Sequence, residues 1–465
     1  MKKIPRILIV TDSAMLDTGF ARVAREIGNH LVLTGKYHVA QHGWFHHVTD
    51  RAVPFQIFPT NGRNADAYGA ESYDQVVASF APDISIMIGD PWMLHHFVSR
   101  PRNHHMVAYI PVDGMPMKRE FADIAAAFDK AVFYGEFGLS AFKQHKPNNK
   151  ALTIPHGVDT AFFSPSTDEA NRAKTRSMIA PAGTRFIMGC VARNNVRKQL
   201  PRLIKTFGVF VSPWWSCQSC FNVSRVKIDK CPCGGGVVYG APKDDASLYL
   251  HTMWNDSAGH DLADFIAMRG LVNRVLMPQN MQEGIGCTDT KLLHIYQAID
   301  LFTLPTGGEG WGLPILEAMS CGVPCLVTGY SGHMDYCDGA TETIQINDFV
   351  TQPQGNMEHA LVDLLDYEVK MDRFYYEFPQ WWEKWGSYVA QASGGLENRE
   401  VARMQLSKAM SFGGNARATL GFNAHKRAQG YDWKIVAPAW ENLIDQTLGF
   451  QPSTDSVETI KSEII

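Results

Sequence analysis

Twice along this chain, short apolar runs alternate with stretches of helical period, and that double alternation restricts the fold more than any other feature. Arg6 to Thr11 (RILIVT) is an apolar run closed by Asp12. Continuous apolarity over so few residues predicts a strand covered on both faces, as in a parallel sheet. Phe20, Val23, Ala24, Ile27 and Leu31 then share one face of a helix over 20–33. Further strands are predicted at His38–Trp44, Ile84–Ile88, Met106–Val112, Ala131–Tyr134 and Ala151–Ile154, with helical stretches at Tyr73–Phe80 and Phe121–Phe128. Strands alternating with helices specify βαβ units and a parallel sheet.

Pro155-His156-Gly157-Val158-Asp159 breaks the pattern, and a polar stretch from Ser164 to Thr184 follows. The domain boundary is placed there, near 165–180. A second alternation starts with a strand at Arg185–Val191 and a helix at Leu200–Phe210. It continues through strands at Ser247–Thr252, Val275–Met277, Leu301–Leu304 and Pro324–Val327, and helices at Leu262–Arg269, Leu292–Ala298 and Leu313–Cys321. A chain of 465 residues exceeds one ordinary core. The expected fold class is α/β, with two Rossmann-like, doubly wound domains at 1–165 and 180–365. Two segments lie outside this scheme. Ser212–Asp245 is rich in Cys, Gly and Lys. Glu368–Glu397 carries Tyr375-Tyr376, Trp381-Trp382 and Trp385. The second is read as a helical aromatic insertion over 366–400, packed on the body, with C-terminal helices at 400–450.

A net charge of −4 and a pI near 6.5 give no global attraction to nucleic acid or an anionic membrane. No run reaches the roughly 18–20 apolar residues of a membrane span. The run Ile7–Val10 is too short for a signal peptide. A cytoplasmic chain with no transmembrane segment is expected.

The stretch richest in chemistry is Asp300–Gly332, DLFTLPTGGEGWGLPILEAMSCGVPCLVTGYSG. A strand ends at Leu304-Pro305. A loop with Gly307, Gly308 and Gly310 leads into a helix near Leu313, and Glu309 and Glu317 stand eight residues apart. Ligands of open α/β sheets bind at the carboxyl ends of such strands. A helix start offers free N–H groups and a positive dipole end, suited to a diphosphate. Glycines let backbone approach a ligand closely. A glutamate's ordinary fate, by contrast, is a solvated surface charge.

With its flanking residues, the Glu-x7-Glu pattern in EGWGLPILEAMSCGVP resembles the retaining nucleotide-sugar glycosyltransferases of the GT-B fold, family 4, also called glycosyl transferases group 1. The resemblance implies that Glu309 contacts the donor sugar and Glu317 binds the ribose hydroxyls. It implies that backbone at Gly310, Trp311, Gly312 and Leu313 approaches the sugar and phosphates. Arg193 and Lys198, beyond the strand ending at Val191, match the family's cation pair for the donor diphosphate. Fixed cations and N–H dipoles stabilise a departing diphosphate without a catalytic metal. The segment IPHGVDTAFFSP (154–165) resembles the family's interdomain linker, which implies a structural role for His156. In AYIPVDGMP (108–116), Asp113 is the catalytic candidate; a turn role for Asp-Gly is the alternative. Gly19 is the expected point of close approach to donor phosphate or acceptor, with Asp17 and Thr18 as helix caps.

Cys217-x2-Cys220 and Cys231-x-Cys233 are ten residues apart. Four thiolates so spaced suit a closed tetrahedral zinc-ribbon-like site in the 212–245 insertion, although the second knuckle is one residue shorter than usual. Free thiols or a redox pair are the alternatives. Four protein ligands leave no open position, so structural zinc is the expected cofactor. Trp214-Trp215 beside lysines would suit stacking on bases, with apolar packing as the plainer reading.

Taken together, these residues imply retaining transfer of a sugar from a nucleoside-diphosphate sugar to an acceptor hydroxyl on a glycan, lipid or modified nucleic acid. A GT-B sugar phosphorylase or epimerase, or an inactive zinc-containing binding protein on the same scaffold, are the rivals.

Overall fold

The computed structural model describes residues 4–450 except 48, 50, 61–65, 67, 101–102, 167, 221–222, 225, 279–286, 352–356, 373 and 376–415. Two parallel sheets form the cores of two lobes.

Lobe 1 contains β1 (Arg6–Asp12), β2 (His38–Trp44), β3 (Gln56–Pro59), β4 (Ile84–Ile88), β5 (His105–Ile110), β6 (Lys130–Phe133) and β7 (Leu152–Thr153). Its helices are α1 (Gly19–Leu33), α2 (Ala70–Phe80), α3 (Pro91–Val98), α4 (Arg119–Ala126) and α5 (Glu136–Lys143). The strand order is β3-β2-β1-β4-β5-β6-β7. β1 shows why the apolar run folds this way. Successive side chains point to opposite faces: Ile7 and Ile9 join one core with α1, and Leu8 and Val10 join another with Trp44 and Phe97. Both faces are covered, so the strand stays apolar until Thr11 and Asp12. There Thr18 donates its hydroxyl to Asp12 Oδ2 at 2.5 Å and accepts from Ala21 N–H at 3.2 Å, which caps α1.

Lobe 2 contains α6 (Glu169–Ile179), β8 (Phe186–Val191), α7 (Leu200–Val211), β9 (Trp214–Cys217), β10 (Val223–Ser224), β11 (Val237–Gly240) and β12 (Ala246–His251). It continues with α8 (Leu262–Met268), β13 (Val275–Leu276), α9 (Asp289–Ala298), β14 (Leu301–Leu304), α10 (Leu313–Ser320), β15 (Cys325–Thr328), α11 (Met334–Cys337) and β16 (Glu342–Ile344). The large sheet runs β13-β12-β8-β14-β15-β16. Each lobe therefore has its first strand beside its fourth, and that reversal opens a crevice at the strands' carboxyl ends. The crevices face each other.

The polar stretch read as the boundary, Ser164–Thr184, contains α6, so lobe 2 begins earlier than 180. Arg172 and Arg176 of α6 both reach the buried Asp300, each at 2.8 Å, and Ile187 N–H donates to the same carboxylate. A buried charge held by two cations and an N–H ties this helix to lobe 2. The short elements β3, α3 and α5 are additions to the sequence reading. So is an antiparallel hairpin of β17 (Ile346–Thr351) and β18 (Glu358–Val362).

Of the aromatic segment, only the start is described. Tyr375 packs edge-on to Phe186 and Phe210 and donates to Asp245 at 2.6 Å. Tyr376, Trp381, Trp382 and Trp385 lie outside the described residues. The chain resumes in α12 (Ala416–Gln429), α13 (Trp433–Val436) and α14 (Pro438–Thr447). α14 lies on lobe 1: Trp440 packs edge-on to Tyr109, and Glu441 pairs with His30 at 2.8 Å and Lys36 at 2.7 Å. Asp432 at the head of α13 accepts from Thr160 of the linker. No helix among the described residues is long and apolar enough to cross a membrane.

β9 is flanked by β10 and β11 in a small antiparallel sheet that carries the cysteine cluster.

Candidate functional site

The turn after β8 and the loop after β14 meet at lobe 2's crevice. Gly307 N–H donates to Arg197 O at 2.7 Å, which pins the two loops together. Lys198 Nζ bonds directly to Glu309 Oε1, and Arg197 reaches Glu309 Oε2 at 3.5 Å. Arg197 also bonds Gly308 O and pairs with Asp113 of lobe 1 at 3.0 Å. Asp113 in turn faces His359 of β18 at 3.4 Å. Burial pushes the Glu309 carboxyl up, but Lys198 and Arg197 outweigh it and hold the group down at about 2. Burial likewise raises Asp113, and Arg197 with His359 brings it to about 2. Both carboxylates are therefore ionised at neutral pH. Burial pushes the Lys198 ammonium down, against the pull of Glu309.

The loop itself is held by backbone. Glu309 N–H donates to Ser331 Oγ at 2.7 Å, and Gly332 N–H to Glu309 O at 3.0 Å. His333 is buried, bonds Thr328 O at 2.8 Å, and is pushed down to about 4 by its burial. Gly312 has φ +91°, a left-handed conformation that favours glycine, and turns the chain into α10. Tyr336 donates its hydroxyl to the carbonyls of Trp311 and Gly312 at 2.9 and 2.8 Å.

Gly308 and Gly310 serve a close approach, but to protein. A Cβ on Gly308 would lie 1.7 Å from Asp113 O, and one on Gly310 would lie 2.6 Å from Pro111. Any side chain there forces the lobes apart.

Glu317, on α10, is buried. Tyr296 donates to it at 2.8 Å, and Arg22 of α1 bonds it across the cleft while also pairing with Asp289 at 2.7 Å. A cavity of about 160 Å³ adjoins it, lined by Arg22, Glu26, Asp159, Asp289, Leu313 and Trp433 among others. A Cβ at Gly19 would lie 4.0 Å from Leu313, so the starts of α1 and α10 face each other.

The expected residues divide as follows. Lys198, Glu309 and Asp113 come together, and Gly19, Leu313 and Glu317 stand along the same cleft. Arg193 makes a two-point pair with Asp256 at 2.8 and 3.2 Å, and its side chain is 61% exposed. The cation beside Lys198 is Arg197. His359, Arg22 and Tyr296 were not singled out from sequence, nor was Asp90 at the end of β4. Asp90 carries a recoverable signal, since it follows a strand and opens a helix at the reversal of sheet order.

In the insertion, the sulfurs of Cys217, Cys220, Cys231 and Cys233 all lie within 4.8 Å of one another. Ser219 and Cys220 N–H groups donate to Cys217 Sγ at 3.3 and 3.5 Å. Gly234, at φ +86°, closes the second turn despite its short Cys-Pro-Cys spacing. A Cβ at the next residue, Gly235, would sit 2.7 Å from Cys217 Sγ.

Comparison with known proteins agrees with this architecture. Residues 276–369 match the family model of Glycosyl transferases group 1. Over 205 residues the chain is 29% identical to a lipopolysaccharide core biosynthesis mannosyltransferase, LpsB, of Rhizobium meliloti, covering 44% of this chain and 47% of that protein. The chain thus spans about half the length of that relative. Among solved structures, it resembles sucrose-phosphate synthase from Thermosynechococcus elongatus, with a TM-score of 0.61 and 15% identity, over 96% of this chain and 100% of the other. It also resembles Anabaena Alr3699/HepE in complex with UDP and glucose, with a TM-score of 0.60 and 14% identity, over 95% and 100%. The fold is GT-B, and residues 276–369 are the part that matches Glycosyl transferases group 1.

Proposed function

We propose that this chain transfers a sugar from a nucleoside-diphosphate sugar to an acceptor hydroxyl, retaining the configuration at the transferred carbon. The observation that carries this reading is the meeting of Lys198, Arg197 and Glu309 at the N-terminal end of α10, at the crevice where each sheet reverses its order. The bond from the sugar's anomeric carbon to the phosphate oxygen breaks, and its electron pair stays on the diphosphate. Lys198, Arg197 and the free N–H groups of α10 stabilise that charge without reorganising. The acceptor oxygen bonds the same face of the carbon, and its proton passes to the departing phosphate oxygen. Glu309, freed from Lys198 by the diphosphate, holds the sugar. Glu317 accepts from the ribose hydroxyls beside the cavity at α1. The pairing of both cations with carboxylates supports the idea that they are placed for an anion rather than for solvent.

The test is calorimetry with UDP, GDP and ADP, followed by turnover with the matching nucleotide sugars. Lys198→Met is expected to lower kcat by about 10²–10³-fold. Glu317→Ala is expected to weaken nucleotide binding about tenfold, corresponding to one or two lost hydrogen bonds. Unchanged binding and turnover in both variants would overturn the assignment.

The cysteine insertion is proposed to hold structural zinc. A tetrahedral zinc with sulfur bonds of about 2.3 Å needs sulfurs about 3.8 Å apart, and the closest described pairs stand at 3.4 and 3.5 Å. The N–H bonds to Cys217 Sγ suit a thiolate. With all four positions filled by protein, the site leaves the transfer chemistry to the cleft.

A further inference from the structure

At the carboxyl end of lobe 1's sheet, aromatic rings from three segments gather around Tyr68. Trp44 closes β2 and Phe45 follows it, Tyr68 precedes α2, and Trp92 and His96 belong to α3. Phe45 and Trp92 stand near-perpendicular to the Tyr68 ring, with centroids 6.1 and 5.6 Å from it. His96 stacks on Tyr68 at 5.9 Å, and Trp44 meets it edge-on at 5.3 Å. Trp44 is the anchor: fully buried, it stacks on Phe97 at 6.1 Å. Phe45 and Trp92 are the outer members, 37% and 47% exposed, and His96 is exposed beside them.

Single exposed hydrophobic residues are ordinary. This cluster differs in two ways. Its rings share Tyr68 as a hub, so they form one continuous face. Phe45 also holds φ +51°, a left-handed conformation that a bulky side chain adopts only at a cost. The ring so placed is exposed, and packing offsets little of that cost.

The face stands on the rim of the cleft. The carboxyl ends of parallel strands lie on one side of a sheet, and β2, β1, β4 and β5 are successive neighbours. Phe45 follows β2, Trp92 follows β4, and Asp113 follows β5. Neighbouring strands are about 4.8 Å apart, so the face begins one strand from that of Asp113 and extends to about 14 Å along the rim. An occupant that reaches from Asp113 to Phe45 is longer than one sugar ring.

Open aromatic faces bordered by polar edges suit sugar rings, whose C–H faces stack and whose hydroxyls bond. His95 meets His96 at 4.8 Å, so ring nitrogens border this face. Stacking on nucleic-acid bases calls for free cations along the backbone. The described arginines in the flanking segments, Arg51 and Arg100, are instead paired with Asp17 and Asp74.

We propose that Phe45, Tyr68 and Trp92 form an acceptor subsite for a glycan of two or more rings, and that they hold a ring remote from the one that receives the sugar. This rests on the transfer reading above and narrows its acceptor to a saccharide chain.

The test is binding of the full chain, with and without whichever of UDP, GDP or ADP it binds, to an array of mono- and oligosaccharides, with octyl chains and single-stranded DNA alongside. Some glycans of two or more rings are expected to bind at least fivefold more tightly than their single-ring counterparts. Phe45→Gly, which keeps φ +51° without strain, and Trp92→Ala are each expected to weaken those glycans about fivefold. Both are expected to leave single-ring sugars and nucleotide binding unchanged, and the second result shows that the variants fold. Unchanged glycan affinity in both variants, a preference for single sugars, octyl chains or DNA, or no glycan bound at all overturns the proposal. If the glycans bind as expected but the wild type takes no nucleoside diphosphate, the transfer reading fails and the glycan-binding face stands.

Discussion

Glu309 and Glu26 show how surroundings give one residue type opposite behaviour. Glu309, between Lys198 and Arg197, is held ionised. Glu26, on α1 beside the cavity, is pushed up to about 7 by burial and by Asp159, despite the opposing pull of Arg25 and Arg22. Below its ordinary value of 4.5, Glu26 is protonated in both folded and unfolded chains. Between 4.5 and 7 the unfolded chain releases the proton first, so Glu26 costs stability increasingly as pH rises through that window. Glu26→Gln is therefore expected to leave Tm unchanged at pH 4 and to raise it on the order of 3 °C above pH 7. Thermal melts at the two pH values check this, and an equal effect at both would contradict it. At this scale the sequence was informative where spacing mattered. The family resemblance points to Glu309, Glu317 and Lys198, and all three stand along the cleft. The family interval points to Arg193, whereas the arginine that reaches Glu309 is Arg197, four residues further on in the 3₁₀ turn over 196–198. Asp256, far along the chain, pairs with Arg193.

The elements that build the site are the turn after β8, the loop after β14 and the start of α10, all legible as strand-to-helix junctions. β18 was not legible. It delivers His359 to Asp113, and Ala360 N–H donates to Gly307 O at 2.8 Å, yet its sequence EHALV carries no clear alternation. The cysteine insertion behaves as a separate small element. The apolar side chains of its β9–β11 sheet stay partly exposed, as at Val238 and Tyr239, so the four thiols are its main restraint. The chain is expected to hold about one zinc by elemental analysis. Cys217→Ser is expected to lose most of it. Hydrogen exchange after chelation should rise over 214–240 and stay unchanged in the β8 and β14 strands. Equal zinc in wild type and variant would rule out this ligand set.

At the scale of the whole molecule, the lobes are joined by charge as well as by the linker and α14. Arg22 crosses from α1 to Glu317, whose side chain is only 2% exposed, and to Asp289. Removing one partner of a buried pair leaves the other charge uncompensated. Arg22→Met is expected to cost about 3 kcal/mol, and Glu317→Gln in the same chain is expected to recover most of it. Denaturant unfolding of the two single variants and the double variant measures this coupling. Additive losses would mean that the pair does not hold the lobes. Where Gly308 meets Asp113 and Gly310 meets Pro111, the lobes approach too closely for any Cβ, so their contact there is through backbone.

What the sequence determined by itself was local and periodic. The apolar runs, the helical faces, the Glu-x7-Glu junction and the cysteine spacing follow from chemistry that acts within a few tens of residues. What only the tertiary structure decided was pairing across long separations: Asp113 with Arg197, and Glu317 with Arg22. These partners are set by the relative placement of two sheets, a linker and a returning helix. No periodicity encodes that placement, because it arises from burying a core shared by both lobes.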